Sequence, residues 1–106
     1  MGSFEPRHAI VTASDSGIGK ATAVALAEQG MDIGVTWYTD SDGAEATAAE
    51  VRSHGRKAVV ARLDTNEPPS CGVVIDHLAD TLGGLDVFVN NAGTGGSELL
   101  LGRWRR

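Results

Sequence analysis

The first residues able to do chemistry lie in a loop of small and polar residues, Thr12-Ala13-Ser14-Asp15-Ser16-Gly17-Ile18-Gly19. An apolar, β-branched run precedes the loop and a helix-favouring segment follows it, so the loop joins a buried strand to a helix. The free N–H groups and the dipole at a helix N-terminus attract a pyrophosphate. Gly17 would let the backbone approach the phosphates, and Gly19 would let the helix pack closely on the sheet. A short Gly-x-Gly stretch also occurs in simple turns, so this motif alone does not establish a nucleotide site.

A carboxylate, Asp64, ends the third apolar run of the chain. An aspartate in this place also fits the phospho-acceptor of the similarly sized response regulators. Those proteins need an acidic pair after the first strand as well, and Ala13 and Ser14 stand there instead. The sequence therefore disfavours a phosphorylation-switched receiver.

The other reactive side chains lack the spacing of a catalytic or metal site. Three histidines fall in different predicted elements without metal-ligand spacing: His8, His54 and His77. We interpret them as a strand-entry residue, a charge at a helix C-terminus and a solvated helix residue, respectively. Cys71 lies in a helix's first turn without a basic neighbour, so we expect it to be inert. Ser14 and Ser16 have no His or Lys placed to activate them, and we expect loop donors rather than nucleophiles.

Hydrophobic periodicity divides the chain into four strands that alternate with three helices. The strands are expected at residues 8–12, 31–37, 57–63 and 85–89. The helices are expected at residues 17–29, 43–54 and 68–82. This alternation predicts an α/β fold, a doubly wound parallel sheet in the order 3-2-1-4, covered on both faces. Ligands bind such sheets beyond the carboxyl ends of the strands, here between the first strand and the fourth.

Each predicted helix carries a stripe of apolar or small residues that should face the sheet. The stripes are Ile18, Ala21, Ala25 and Leu26 in the first helix, Ala44, Ala48 and Val51 in the second, and Val74, Leu78 and Leu82 in the third. Asp40, Ser41 and Asp42 are the candidate N-caps of the second helix. We expect residues 1–93 to form one nucleotide-binding domain and residues 94–106 to form a tail that begins a further helix.

Three motifs in this order resemble the classical short-chain dehydrogenases/reductases: the loop of residues 12–19, Leu63-Asp64, and the segment Leu85-Asp86-Val87-Phe88-Val89-Asn90-Asn91-Ala92-Gly93. The resemblance covers roughly residues 7–93 and implies a Rossmann-like fold, an NAD(P) cofactor, and hydride transfer with an alcohol or carbonyl substrate. In that family the Asp binds the adenine amino group, and the Asn-Asn-Ala-Gly turn lines the nicotinamide ribose. The resemblance implies these cofactor-binding residues: Thr12, Ser14, Asp15, Ser16, Gly17, Ile18, Gly19, Tyr38, Thr39, Asp64, Thr65, Asn91, Ala92 and Gly93.

The sequence departs from the family pattern at Ala13, and the end of the second strand leaves the choice between NAD and NADP open. Ala13 stands where the family usually has glycine. If the backbone there has a positive φ, the methyl group costs about 1 kcal/mol and weakens binding. At the end of the second strand, the lack of an acid at Trp37 favours NADP over NAD, with Tyr38 and Thr39 as hydroxyl partners. The nearby carboxylates Asp40 and Asp42 favour the opposite preference.

The residues that the family uses for chemistry are absent from the sequence. The family pairs a tyrosine with a lysine four residues later, because the cation makes the phenol an effective acid or base. The only tyrosine here is Tyr38, followed four residues on by Asp42, and the only lysines are Lys20 and Lys57. We expect a truncated cofactor-binding part that lacks the fifth parallel strand, with Trp104 opening the next helix. The fourth strand would then have an unpaired edge suited to association with another copy. The alternative is a non-catalytic dinucleotide-binding or partner-completed interaction module.

Composition sets the remaining expectations. The 106 residues carry a formal net charge of −5 with nine Lys and Arg, which argues against a nucleic-acid partner. No apolar stretch is long enough to span a membrane, and the N-terminus lacks the pattern of a signal peptide. A lone Cys71 agrees with a reducing compartment. We expect a cytoplasmic protein.

Overall fold

The computed structural model describes residues 6–64, 68–91 and 98–101, with the side chains of 6–64 and 71–91. Strands and helices follow one another along the chain as β1 His8–Val11, α1 Gly17–Glu28, β2 Asp32–Trp37, α2 Ser41–Ser53, β3 Ala58–Arg62, α3 Pro68–Leu82, β4 Val87–Asn90 and β5 Glu98–Leu101. The predicted alternation of strands and helices through β4 is confirmed, with shifts of one or two residues at most boundaries.

The sheet has the order β3-β2-β1-β4-β5, and its first four strands are parallel. Ile10 of β1 is paired with Gly34 of β2 on one side and with Phe88 of β4 on the other. The predicted order 3-2-1-4 is confirmed. The central strands are apolar on both faces because helices cover both faces, which is the pattern expected of a parallel sheet.

The tail differs from its prediction in residues 98–101. They form β5, which runs antiparallel to β4 and pairs Leu99 with Val89 and Leu101 with Val87. The expected helix start is therefore wrong for these residues, and so is the expected unpaired edge of β4. The backbone N–H and C=O groups along β4 need partners, and a short extended run of leucines supplies them. Trp104 lies outside the described residues.

The two faces of the sheet carry separate hydrophobic layers. On one face α1 and α2 pack over β1, β2 and β4 around residues such as Val11, Ile33 and Val51. On the other face α3 packs on Ile10 through Leu78 and Leu82, with Val74 partly buried. The predicted inward stripes of α2 and α3 are confirmed.

The predicted inward face of α1 is wrong for three of its four residues, and only Leu26 packs against the core. Its buried residues are Gly19, Ala23 and Ala27, spaced four apart, whereas Ile18 is 73% exposed. Ala21 and Ala25 are exposed as well. Small residues at this spacing let the helix approach its neighbours closely, so steric fit rather than hydrophobicity selects the buried face.

The amino ends of β1 and β4 are joined through one carboxylate. Asp86 Oδ2 accepts hydrogen bonds from the backbone N–H groups of Arg7 at 2.9 Å and His8 at 3.2 Å. It also lies 3.4 Å from His8 Nδ1, which agrees with the strand-entry role expected for that histidine.

Within the described ranges, no helix has both the length and the apolar character needed to cross a bilayer.

Candidate functional site

The candidate site lies at the carboxyl ends of β1 and β4, where the direction of winding reverses. Thr12 follows β1 directly and Asn91 follows β4 directly. The Thr12 hydroxyl oxygen accepts the Asn91 backbone N–H at 2.8 Å, and Asn91 Nδ2 donates to the carbonyl of Ala13 at 3.3 Å. The Thr12 N–H donates to the Val89 carbonyl at 3.0 Å. Two motifs 79 residues apart in sequence therefore form one structural unit, as a shared site requires.

Ser14 lies inside the loop rather than at its surface. Its side chain is fully buried, and its hydroxyl donates to the Val11 carbonyl at 2.7 Å. Its backbone N–H donates to the Thr36 carbonyl at 3.0 Å, while its own carbonyl accepts from Thr47 Oγ1 at 2.8 Å. Thr12 is buried as well. These two predicted cofactor contacts therefore shape the loop in this structure, and any contact with a ligand stays a prediction.

Ala13 has a positive φ of 52°, in the left-handed region that favours glycine. Ala13 therefore has the positive φ at which its methyl group, in place of the family's glycine, is expected to be unfavourable. The Ala13 N–H donates to Thr36 Oγ1 at 2.9 Å, so the side chain of a neighbouring strand holds the unusual conformation.

The N-terminus of α1 opens to solvent beside this loop. Ser16, Gly17 and Ile18 are all exposed. Ser16 precedes the helix without capping it, because its side chain makes no hydrogen bond to the first turn. The first N–H groups of a helix have no intrahelical acceptor and carry partial positive charge, so they suit an anion. This is the part of the site that can bind a phosphate.

The two glycines of the loop have different surroundings. A Cβ on Gly17 would meet nothing within 4 Å, and its φ is +60°, so the backbone here is open to an approaching ligand. A Cβ on Gly19 would overlap the Ala13 carbonyl oxygen and lie 2.6 Å from Asn91 Nδ2. Gly19 is thus needed for the close packing of α1, although against the loop and Asn91 rather than against the sheet strands.

Tyr38 and Thr39 extend from the end of β2 and are exposed. The guanidinium of Arg62, at the end of β3, lies over the Tyr38 ring with 4.9 Å between its carbon and the ring centroid. Arg62 Nε also donates to the Tyr38 carbonyl at 3.2 Å. Asp40 is occupied differently, since its Oδ1 caps α2 by accepting the Gly43 N–H at 2.9 Å. The cation of Arg62 thus lies beside Tyr38, whereas the Asp40 carboxylate is bonded to the first turn of α2.

Three residues that shape or border the candidate site were missed by the sequence interpretation: Thr36, Thr47 and Arg62. The threonines are buried and act through hydrogen bonds to residues more than 20 positions away. Arg62 was visible in the sequence as a charged residue at the end of an apolar strand, two positions before Asp64. That position at the carboxyl edge of the sheet was the available signal.

The remaining predicted residues are only partly described. Asp64 follows β3, is partly buried, and accepts a hydrogen bond on its carbonyl from Cys71 Sγ at 3.2 Å. Asp15 is also partly buried. Thr65, Ala92 and Gly93 lie outside the described residues. Among the residues whose side chains are described, no group of three or more His, Cys, Asp or Glu could hold a metal ion.

Comparison with known proteins agrees with this geometry. The family model described as short chain dehydrogenase matches residues 7–103. The chain belongs to this family. Proteins of this family bind a nicotinamide cofactor, NAD or NADP.

Individual relatives support the same conclusion. The chain is 53% identical over 85 residues to an uncharacterized oxidoreductase, YohF, of Escherichia coli K12, and the match covers 80% of this chain and 34% of the relative. A crystal structure of acetoin dehydrogenase from Enterobacter cloacae is 53% identical, with a TM-score of 0.79 over 83% of this chain and 35% of that one. A short chain dehydrogenase from Burkholderia cenocepacia J2315 in complex with NADP is 37% identical, with a TM-score of 0.79 over 82% and 36%. The chain spans about a third of the length of the relatives that it matches.

Proposed function

We propose that this short-chain dehydrogenase chain is the dinucleotide-binding part of an NAD(P)-dependent oxidoreductase that interconverts an alcohol and a carbonyl compound. The observation that carries the proposal is the exposed, uncapped N-terminus of α1, which follows a loop whose residues Ala13 and Ser14 are hydrogen-bonded to β2, α2 and Asn91. A preformed anion site at the switch point of a doubly wound sheet suits the diphosphate of a dinucleotide.

The family resemblance assigns residues of this chain to each part of such a cofactor. The first N–H groups of α1, beside Ser16 and Gly17, would bind the diphosphate. Asp64 at the end of β3 would face the adenine, as the family resemblance implies. Asn91, Ala92 and Gly93 would line the nicotinamide ribose. When bound, the nicotinamide supplies or accepts the hydride, and the chain's own residues bind and orient it.

We further propose that NADP is preferred over NAD. The ribose 2′-OH of NAD is bound by an acid at the end of the second strand, and the NADP phosphate by a basic residue nearby. Trp37, Tyr38 and Thr39 provide no acid, and the carboxylate of Asp40 is bonded to its own helix. Arg62 provides the basic residue, and its stacking on Tyr38 keeps the guanidinium at this edge. The Burkholderia relative, determined in complex with NADP, supports the same preference.

The substrate of the whole protein is proposed from its relatives. The Enterobacter relative is an acetoin dehydrogenase at 53% identity, so small vicinal hydroxyketones and diketones are the first class to test. No described residue of this chain selects between such compounds, because the matched region is the cofactor site.

Titration calorimetry of the 106-residue chain with NADPH, NADH and ADP tests the proposal. We expect binding of both dinucleotides, tighter for NADPH, with a rise in Tm that increases with ligand concentration. ADP should bind more weakly because it lacks the nicotinamide half. No heat and no thermal shift at millimolar NADPH would contradict a competent dinucleotide site. Equal affinity for NADPH and NADH would contradict the preference alone.

A further inference from the structure

Thr36, near the end of β2, is the side chain that holds the non-glycine residue of the phosphate loop. It is buried, and each of its polar groups faces the loop. Its Oγ1 accepts the Ala13 N–H at 2.9 Å, its carbonyl accepts the Ser14 N–H at 3.0 Å, and its N–H donates to Ser14 Oγ at 3.3 Å. The two backbone bonds would survive a change of side chain, whereas the bond to Ala13 depends on the hydroxyl.

The bond to Ala13 falls where the loop is strained. A left-handed φ brings the Cβ of a non-glycine residue close to the following carbonyl oxygen, so Ala13 at φ 52° is less stable than a glycine there. Among the described contacts, the acceptor of the Ala13 N–H is the Thr36 side chain. On the other side the Ala13 carbonyl is held by Asn91 Nδ2 at 3.3 Å, a longer contact.

The consequences of Ala13's conformation reach the start of α1. The Ala13 carbonyl lies so close to Gly19 that a Cβ could not be placed between them. A change in the φ of Ala13 would therefore shift this carbonyl against Gly19 in the first turn of α1, whose N–H groups form the proposed anion site. Thr36 holds the peptide before Ala13 through its hydroxyl and the peptide after Ala13 through its carbonyl, so it sets the orientation of the two peptides about Ala13. Thr47 holds the peptide that follows Ser14 by donating to the Ser14 carbonyl at 2.8 Å.

We infer that Thr36 is a positioning residue for dinucleotide binding: its hydroxyl holds Ala13 in the left-handed conformation and compensates for the missing glycine. The inference rests on the proposed function, because its main readout is cofactor affinity. It is specific to a chain with alanine at position 13, since a glycine would adopt the same backbone without help.

A double-mutant cycle on Thr36 and Ala13 tests the inference. Thr36→Val keeps the shape of the side chain and removes the acceptor, and Thr36→Ser keeps the acceptor. Ala13→Gly removes the strain. Thr81→Val is the matched control, because its hydroxyl bonds only to its own helix, at the His77 carbonyl, away from the loop. The measurements are the Kd for NADPH by calorimetry and the Tm by circular dichroism.

We expect Thr36→Val to weaken NADPH binding by about tenfold, the effect of leaving one partly buried N–H without its acceptor. Thr81→Val should bind like the wild type, and Thr36→Ser should keep most of the affinity that Thr36→Val loses, because it keeps the acceptor. Ala13→Gly should restore most of the affinity in the Thr36→Val background, a larger gain than it gives with the wild-type threonine. A merely structural threonine would lower Tm without this selective recovery by glycine, so equal effects of Ala13→Gly in both backgrounds would overturn the inference.

Stability separates this inference from the proposed function. If the wild type does not bind NADPH, the proposed function fails, and the cycle is scored on Tm alone. The gain in Tm from Ala13→Gly should then be larger with Thr36→Val than with the wild-type threonine. If Thr36→Val alone does not fold, the double variant should fold, and a double variant that remains unfolded counts against the inference.

Discussion

The Arg62 guanidinium lies over the Tyr38 ring, with Cζ 4.9 Å from the ring centroid, and its Nε donates to the Tyr38 carbonyl at 3.2 Å. The two residues lie at the ends of adjacent strands, with Arg62 paired to Trp37 in the ladder. Stacking reduces the freedom of a long side chain, so the charge stays at the edge where an adenosine ribose would lie. This contact places Arg62 where it could contribute to the NADP preference proposed above.

Replacing Arg62 should change that choice. We expect Arg62→Met to weaken NADPH binding by about tenfold or more, the usual effect of losing a charged hydrogen bond. NADH lacks the 2′-phosphate, so its affinity should change little. Arg56→Met is the control, since Arg56 carries the same charge at the opposite end of β3, where it pairs with Asp32 at 3.0 Å. Equal losses for NADPH and NADH would show that Arg62 is not the phosphate partner.

Gly17 should be required for binding beyond its role in the backbone. Gly17 and Gly30 both have positive φ and open space where a Cβ would lie, but only Gly17 begins α1 at the candidate site. Replacing either with alanine should cost about 1 kcal/mol in the free energy of unfolding. We expect Gly17→Ala to abolish measurable NADPH binding and Gly30→Ala to preserve it. Urea unfolding and calorimetry on both variants provide the comparison. Retained affinity in Gly17→Ala would show that the loop is a turn without a role in phosphate binding.

The close approach of α1 to the loop predicts a contrast between two helical glycines. A Cβ on Gly19 would overlap the Ala13 carbonyl, whereas a Cβ on Gly72 in α3 would meet nothing within 4 Å. Gly19→Ala should therefore destabilise the chain by about 1–3 kcal/mol through overpacking. Gly72→Ala should stabilise it by about 0.5–1 kcal/mol, because alanine is the better helix former. Chemical denaturation measures both, and a neutral Gly19→Ala would mean that the loop yields easily.

Turnover by the 106-residue chain should be undetectable. Lys57 Nζ is bonded to the Thr81 carbonyl at 3.1 Å and Lys20 Nζ pairs with Glu50 at 3.3 Å, so neither lysine is placed beside the only phenol, Tyr38. The lack of a general acid alone removes about 10²–10⁴ in rate. NADPH oxidation with acetoin, diacetyl and a panel of aldehydes measures this, with the Enterobacter acetoin dehydrogenase as the positive control. Robust turnover by the mass-verified chain would require an acid at Tyr38, which Tyr38→Phe would then remove.

Local patterns in the sequence predicted the strands, a helix cap and two of the three buried helix faces, because each of these depends on residues that are close together in the chain. The apolar runs predicted all four parallel strands, and Asp40 was among the expected caps of α2. The stripe Ala44, Ala48 and Val51 was found because it is both apolar and periodic. In α1 nearly every position is small or apolar, so periodicity could not separate the buried Ala23 from the exposed Ala21.

The parts of the site that were missed depend on contacts between distant segments. Thr36 lies 23 positions from Ala13 and Thr47 lies 33 positions from Ser14, and nothing local marks either threonine as a loop partner. The residues after the Asn91 turn were expected to begin a helix, but 98–101 extend along β4 because that strand has unpaired backbone groups. The need of β4 for a hydrogen-bonded neighbour arises only once β4 is in the sheet, so the sequence of residues 98–101 does not reveal it.

The hydrogen bonds around Ala13 and Ser14 have a kinetic consequence. Residues of β2 and α2 hold both loop residues, and no buried side-chain nitrogen or oxygen among the described residues lacks a partner. A site that is ordered before the encounter pays its entropy during folding, and its association needs no slow rearrangement. Stopped-flow mixing with NADPH should therefore give one exponential phase whose rate rises linearly with ligand concentration, and no plateau.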